Sequence, residues 1–378
     1  MLYLDHAATS PVRPEVRAAM EPFLTEVFGN PASHHTAGET AARALEDARA
    51  RVARVFGTRA GDVVFTGGGT EANNLAVKGL ALGALASGRR RVVVSPIEHE
   101  SIRESAAYLA RFHGVTVAMP AVDGTGRITP DALDTALTDD TAVVSFGHAN
   151  NEIGTVQDIP ALREVVHARR VPLHVDAVQS AGWLPLHELH ADAVSIAGHK
   201  LGAPKGTGAL VVRGRLPLEP LLHGGGQERG RRSGTVDVAG AVGLATALDL
   251  AEREREDTAT RVEAATARFI AEVQRRVPVA ALTGHPTQRL PATASFTIAG
   301  VSGEAVLLEL ERRGVISSSG SACAAGSDEP SPVLLACGIA PEVAQTAVRF
   351  TFGRSALPAD APERLAALVA EAVDAVRG

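Results

Sequence analysis

The sequence predicts an α/β protein: a large domain built on a mostly parallel central sheet, joined to a smaller α+β C-terminal domain. Three observations carry this expectation. Short apolar runs alternate with stretches of helical periodicity through most of the chain. A long stretch rich in Ala, Glu and Arg then interrupts the alternation. The length, 378 residues, is enough for two hydrophobic cores.

Taken in order, Pro14 to Phe28 and Gly38 to Phe56 read as amphipathic helices. A strand, Val63-Val64-Phe65-Thr66, leads through a glycine turn into a helix from about Glu71 to Ala86. The unit recurs as Val92-Val93-Val94 with a helix near Ile102 to Phe112, and Val115-Thr116-Val117 follows. Thr141 to Phe146 and Leu173-His174-Val175 are further strands, separated by a helix from Ile159 to Arg170. Ala193 to Ile196 and Ala209 to Val212 flank a glycine-rich turn. Repeated strand–helix units imply a sheet covered on both faces. One long helix, Val238 to roughly Val277, is expected to carry the chain out of this domain. Beyond it lie a strand at Thr293 to Ile298, a helix at Glu304 to Arg313 and a terminal helix from about Pro362 to Val376. The large domain is expected to span residues 15–255, and residues 1–14 with 256–378 to form the smaller one.

Composition narrows the function classes. Hydrophobic residues make up 45% and charged residues 21%, ordinary for a globular protein. A net charge of −6 gives no reason to expect a nucleic-acid or membrane-surface partner. Two cysteines, Cys323 and Cys337, are too few for a disulfide framework or a four-thiolate metal site. There is no His-Glu-x-x-His or Cys-x-x-Cys spacing, so no metal site is expected. No apolar run is long enough to span a bilayer, and the opening Met1-Leu2-Tyr3-Leu4-Asp5 has no basic leader. The expected location is cytoplasmic.

The residues that could carry chemistry fall at strand ends, where open α/β sheets place ligands. Lys200, in Gly198-His199-Lys200, follows a strand among small residues, a setting suited to Schiff-base chemistry. Gly67-Gly68-Gly69-Thr70 opens a helix and could cradle an anion, although it matches neither nucleotide-binding fingerprint. Asp176 ends a strand and could pair with a cationic heterocycle, or simply cap a helix. His99, in Glu98-His99-Glu100, could stack on a ring or move protons, or again cap a helix. Asn150-Asn151-Glu152 occupies the equivalent place after another strand. Singly each has a bland explanation. Together, in consecutive strand–helix units, they form the set that pyridoxal phosphate requires.

The chain also resembles the cysteine desulfurases, within the class V aminotransferase fold of pyridoxal-phosphate enzymes. The resemblance runs through Tyr3 to Thr9, Gly29-Asn30-Pro31 with His35, and Thr70-Glu71-Ala72-Asn73-Asn74. It continues through Glu98-His99-Glu100, Asn150 to Gly154, His174 to Gln179 and Gly198-His199-Lys200. The later matches are Gly224 to Thr235, Gly320-Ser321-Ala322-Cys323, and Arg349-Phe350 before Gly353. It implies pyridoxal 5'-phosphate held covalently by Lys200, which would also move the substrate α-proton. Asp176 would face the pyridinium nitrogen, His99 would stack on the ring, and Asn151 and Gln179 would bond its phenolic oxygen. Gly69, Thr70 and His199 would bind phosphate, with Thr235 reaching in from the second subunit of a homodimer. Arg349 would clamp the substrate carboxylate.

Cys323 would carry the reaction specificity. Its small, polar, glycine-containing surroundings read as an accessible loop, whereas Cys337, in Val333-Leu334-Leu335-Ala336-Cys337, reads as a structural thiol. The implied reaction converts L-cysteine to L-alanine and leaves a persulfide on Cys323. A protein acceptor, in iron–sulfur cluster assembly or a thiolation pathway, then takes the sulfur. The Gly-Ser-Ala-Cys setting resembles the group with the longer cysteine loop. Departures are Ala197, where most relatives have a phosphate-binding serine, His6 for a common asparagine, and Ala203 for a glycine. Other activities of the same fold, such as an aminotransferase or a selenocysteine or cystine lyase, remain the alternative, as does a non-catalytic sulfur-carrier module.

Overall fold

The computed structural model describes residues 1–320 and 329–377. In chain order its elements are β1 (Leu2–Tyr3), α1 (Pro14–Thr25), α2 (Thr36–Val55), β2 (Val63–Thr66), α3 (Gly69–Ala84), β3 (Arg91–Val94), α4 (Glu100–His113) and β4 (Thr116–Ala118). There follow α5 (Pro130–Ala136), β5 (Thr141–Gly147), α6 (Ile159–Ala168), β6 (Leu173–Asp176), β7 (Ala193–Ala197), α7 (Gly198–Leu201) and β8 (Gly208–Val212). The remainder comprises α8 (Val238–Arg253), α9 (Arg255–Arg276), β9 (Ala280–Leu282), β10 (Thr293–Ile298), α10 (Gly303–Arg312), β11 (Val315–Ile316), α11 (Pro332–Ala336), α12 (Pro341–Ala344), β12 (Ala347–Thr351) and α13 (Ala361–Arg377).

The central sheet has seven strands in the order β2-β8-β7-β6-β5-β3-β4. The pairs from β7 to β4 are parallel, and β8 runs antiparallel to both of its neighbours. The apolar runs lack polar gaps because each face meets its own helices. Val93, Val144, Phe146, Val175, Val194, Ile196 and Val211 join a core with α2, α6 and α8. Their neighbours Val92, Val94, Val143, Leu210 and Val212 join a second core with α3 and α4. Strand periodicity sends alternate residues to opposite faces, so a strand buried on both faces must be apolar throughout.

The expected long helix from Val238 to Val277 is two helices. Glu254 (φ −92°, ψ −2°) caps the end of α8, and α9 starts anew at Arg255. Neither glycine nor proline marks this corner. The Glu254 carboxylate receives a fork from Arg13, at 2.7 and 2.8 Å, which ties the corner to the start of α1.

Beyond the corner, β12, β10 and β9 form an antiparallel sheet. Its core centres on Phe269, Phe296, Phe350 and Phe352, whose rings meet edge to face with centroids 5.0 to 6.4 Å apart. The chain start joins this region: β1 pairs with β11, and Leu4 is part of the same core. On β12, Val348 and Phe350 point into the core, which turns Arg349 to the opposite side, toward the large sheet.

Candidate active site

Parallel strands in register end together, so residues just past their ends converge. Gly147 at the end of β5 pairs with Asp176 at the end of β6, and Asp176 pairs with Ser195 near the end of β7. His99 follows β3, Asn151 follows β5, and Lys200 lies on the short helix after β7.

Asp176 is buried, and its carboxylate accepts from the Val178 N–H (2.8 Å) and the Asn73 amide (2.6 Å). Burial pushes its carboxyl above the ordinary value, while those two donors and the nearby His99 and Lys200 act the other way. Asn73 uses its second amide hydrogen on Ser101 Oγ (2.9 Å), and Ser101 in turn contacts His99 Nδ1 (2.8 Å). Asp176 and His99 are therefore joined by a two-residue hydrogen-bond relay. His99 also caps α4, with Nδ1 accepting from the Ser101 N–H at 3.1 Å. The capping role is real, and it fixes the ring rather than competing with a site role.

Gly67 to Thr70 forms the turn from β2 into the start of α3. Gly68 sits at φ 131°, a conformation L-residues rarely adopt, and the Gly67 N–H is held by Glu71 at 2.7 Å. A Cβ on Gly69 would come within 2.9 Å of Val178 Cγ2 and 3.2 Å of Ala197 Cβ, so the start of α3, the turn after β6 and the end of β7 meet there. Thr70 stands in the first turn of α3. His199 Nδ1 pairs with Thr9 Oγ1 at 3.2 Å, and burial, followed by the charges of Lys200 and Lys205, pulls its ring down to about 4. Thr235 is exposed on the loop before α8.

One segment escaped the local reading of the residues. Asp5 to Thr9 runs across the site and its backbone collects side chains from several elements. The Lys200 amine donates to the carbonyls of Ala7 and Ala8, the latter at 2.7 Å, and the Gln179 amide donates to the Ala7 carbonyl at 3.1 Å. The Ala7 N–H is received by Thr351 Oγ1 at 2.9 Å. Nothing in the spacing of Asp5-His6-Ala7-Ala8-Thr9 signals these contacts, because carbonyl groups leave no trace in residue identity.

Arg349 is 2% exposed. Its Nη1 donates to the carbonyls of Asn151 (2.8 Å) and Gly320 (3.2 Å), and Nη2 to Asp5 Oδ1 (2.7 Å). Asn151 thus engages the site through its main chain. Cys323 lies outside the described residues, but both flanks of its segment are anchored at one place. Gly320 is held by Arg349, and Ser331 Oγ donates to Glu152 Oε2 at 2.5 Å. Cys337 is partly buried, and burial, then the charges of Asp123 and Glu152, pushes its thiol up to about 11. It stays a thiol at neutral pH, as expected of a structural cysteine.

These residues fit pyridoxal phosphate on their own chemistry. A buried acid suits a protonated ring nitrogen, a glycine-opened helix start suits phosphate, and an amine stands at the end of the strand between them. The model of the class-V aminotransferases matches residues 2–361. The cysteine desulfurase IscS of Dictyoglomus turgidum is 42% identical over 93% of this chain and 89% of its own. That of Methanosarcina thermophila is 40% identical over all of this chain and 93% of its own. Among solved structures, one described as a NifS-like protein superposes with a TM-score of 0.91 at 31% identity, covering 99% of both chains. The chain belongs to the class-V aminotransferase family and, within it, to the pyridoxal-phosphate-dependent cysteine desulfurases.

Proposed function

We propose that the protein takes sulfur from L-cysteine, releasing L-alanine and leaving a persulfide on Cys323, which a protein acceptor then receives. The observation that carries this reading is the meeting of Lys200, Asp176 and His99 with Arg349 and both flanks of the Cys323 segment. Bound pyridoxal phosphate supplies an electron sink for breaking bonds at the substrate's α- and β-carbons. Lys200 holds it covalently and moves the substrate α-proton. Asp176 would hold the proton on the ring nitrogen, and the Asn73–Ser101 relay fixes the His99 imidazole, which would stack on the ring. Gln179 and Asn151 bond the phenolic oxygen. Gly69, Thr70 and His199 receive the phosphate, with Thr235 of a second copy in a homodimer. Arg349 takes the substrate carboxylate, which sets the substrate sulfur toward the Cys323 segment. The Cys323 thiolate attacks that sulfur; a sulfur–sulfur bond forms, the carbon–sulfur bond breaks, and the carbon keeps the electron pair and is protonated.

The acceptor belongs to iron–sulfur assembly or a thiolation pathway, in a cytoplasmic setting that two cysteines and no helix long enough to cross a membrane among the described residues both suit. The division into residues 15–255 and residues 1–14 with 256–378 is supported by the largest apolar core on each side of it, while a small cluster of Ile97 and Ile153 with Val333 and Leu334 bridges the two. One draws on Val16 to Ala251, the other on Leu4 and Val262 to Val373.

Exchange of the two thiols tests the reading. Cys323→Ser should keep the yellow colour and still bind L-cysteine, yet release no alanine and carry no persulfide. Cys337→Ser should turn over normally. Alanine and sulfide from Cys323→Ser at the wild-type rate would sink the assignment, because neither an aminotransferase nor a β-eliminating lyase needs an enzyme thiol.

A further inference from the structure

We infer that Asp5 determines substrate affinity: it is a resident carboxylate on Arg349 that the carboxylate of an incoming substrate must displace. The inference rests on the proposed role of Arg349 as the carboxylate clamp.

A guanidinium can receive a carboxylate in a fork across its two Nη groups or along its Nε/Nη2 edge. The first mode is closed here. Both hydrogens of Nη1 are engaged by the carbonyls of Asn151 and Gly320. That leaves the Nε/Nη2 edge, and there the bonding is incomplete. Nη2 donates to Asp5 Oδ1 at 2.7 Å, while the buried Nε–H has no acceptor among the described residues. Asp5 therefore binds through one oxygen and leaves the other donor of the edge unmet. A substrate carboxylate seated along that edge meets both donors, which is the better bond of the two.

The two partners differ in freedom. The Arg349 side chain is 2% exposed and held by two carbonyls, so it stays in place. The Asp5 side chain is 16% exposed and can turn toward water, although its backbone is fixed. The Asp5 carbonyl accepts from the Tyr3 hydroxyl at 2.9 Å and the Ala8 N–H at 3.0 Å. A competitor tethered this way acts at high effective concentration. It keeps a buried cation compensated before substrate arrives, and every carboxylate ligand is bound more weakly as a result.

Replacing Asp5 with asparagine keeps the oxygen that Nη2 donates to and removes the charge. With holoenzyme, Asp5→Asn should lower KM for L-cysteine about three- to tenfold, with kcat changing far less. Calorimetry supplies a second reading with non-reacting ligands. L-alanine should bind tighter by a similar factor, whereas ethylamine, which lacks the carboxylate, should bind as before. A purely structural role would move both ligands or weaken both. Asp5→Ser should act in the same direction and serves if the asparagine variant does not fold. Unchanged or weakened L-alanine binding in the folded variants overturns the inference. Arg349→Gln, measured in parallel, separates the failures. If it leaves L-alanine affinity intact, the clamp and the inference fall together. If it weakens L-alanine while Asp5→Asn does not tighten it, only the inference falls. Absence of alanine production by the wild type would instead count against the proposed reaction, with the calorimetry still reading Asp5.

Discussion

Among the described residues, two buried arginines, each paired with a carboxylate, are built in opposite ways. Arg49 on α2 and Glu228, whose side chains are 5% and 1% exposed, form a two-armed fork at 2.6 and 2.7 Å. The remaining groups are also met: Arg49 donates to the Val63 carbonyl (2.8 Å) and to Glu46 (2.9 Å), and Glu228 accepts from the Phe65 N–H (2.9 Å). Glu228 even adopts a left-handed backbone (φ 51°) to reach this position. Arg349 and Asp5 share a single bond, and one donor of the arginine has no acceptor among the described residues. A pair that is satisfied throughout has nothing to offer a ligand and serves to pin α2 against β2. An incomplete pair retains bonding capacity for something that arrives later.

The sharpest way to break this comparison is to remove the arginine of the incomplete pair. Arg349→Gln should cut kcat/KM for L-cysteine by about 10²- to 10³-fold, since a charge-assisted fork that orients the substrate is lost. Its melting temperature should fall less than that of the Glu228 variant below, because Asp5 can hydrate once released and only the Asn151 and Gly320 carbonyls lose a donor. Steady-state assays and thermal melts on the same preparation would decide it.

The complete pair should respond the other way. Glu228→Gln leaves Arg49 buried beside a neutral group and should cost about 3–5 kcal/mol of stability. Turnover by the protein that remains folded should match the wild type. Urea unfolding measures the first quantity and activity per folded molecule the second. A Glu228 variant that is stable but inactive would erase the distinction.

Glu98 sharpens the contrast with the smallest expected effect. Burial pushes its carboxyl up to about 8, with the Gly147 N–H acting against this and the charge of Asp176 adding to it. The folded protein keeps a proton that the unfolded chain loses above the ordinary value of 4.5, so stability falls as pH rises between 4.5 and about 8 and is level beyond. His148 and His174, pulled down by burial to about 4 and about 3, act oppositely but only below 6.5. Asp176 and Glu152, also raised by burial, are common to wild type and Glu98→Gln, so the difference between the two proteins' urea midpoints near pH 6.5 and about 9 reads Glu98. The wild type should lose stability over that interval relative to Glu98→Gln, and parallel curves would show that Glu98 is ionised in the fold.

Much of this was legible in the sequence, for reasons that also mark the limit. The large sheet could be read because its strands are buried on both faces, which leaves unbroken apolar runs such as Val92-Val93-Val94. Asp176, His99 and Lys200 stood out because each is polar immediately after such a run. Arg349 is legible only through family resemblance, since β12 is short and its segment carries no other signal. The corner at Glu254 was invisible because it depends on Arg13, and Ala-rich helical periodicity continues across it. The Asn73–Ser101 relay joins residues 28 apart, and the Arg49–Glu228 fork joins residues 179 apart. Local pattern carries no information about pairings of that kind.

Asp5 and Arg349 are separated by 344 positions, whereas every strand of the large sheet lies between Val63 and Val212. During synthesis the lysine and its acid can be in place while the residues of β12 are still inside the ribosome. Whatever the emerging chain does with its reactive amine, it does without the arginine. On the proposed reading of Arg349 as the carboxylate clamp, selection for amino-acid carboxylates therefore waits for β12, and a product cut short before Arg349 would lack that clamp together with Thr351, which holds the Ala7 N–H, and the donor that anchors Gly320.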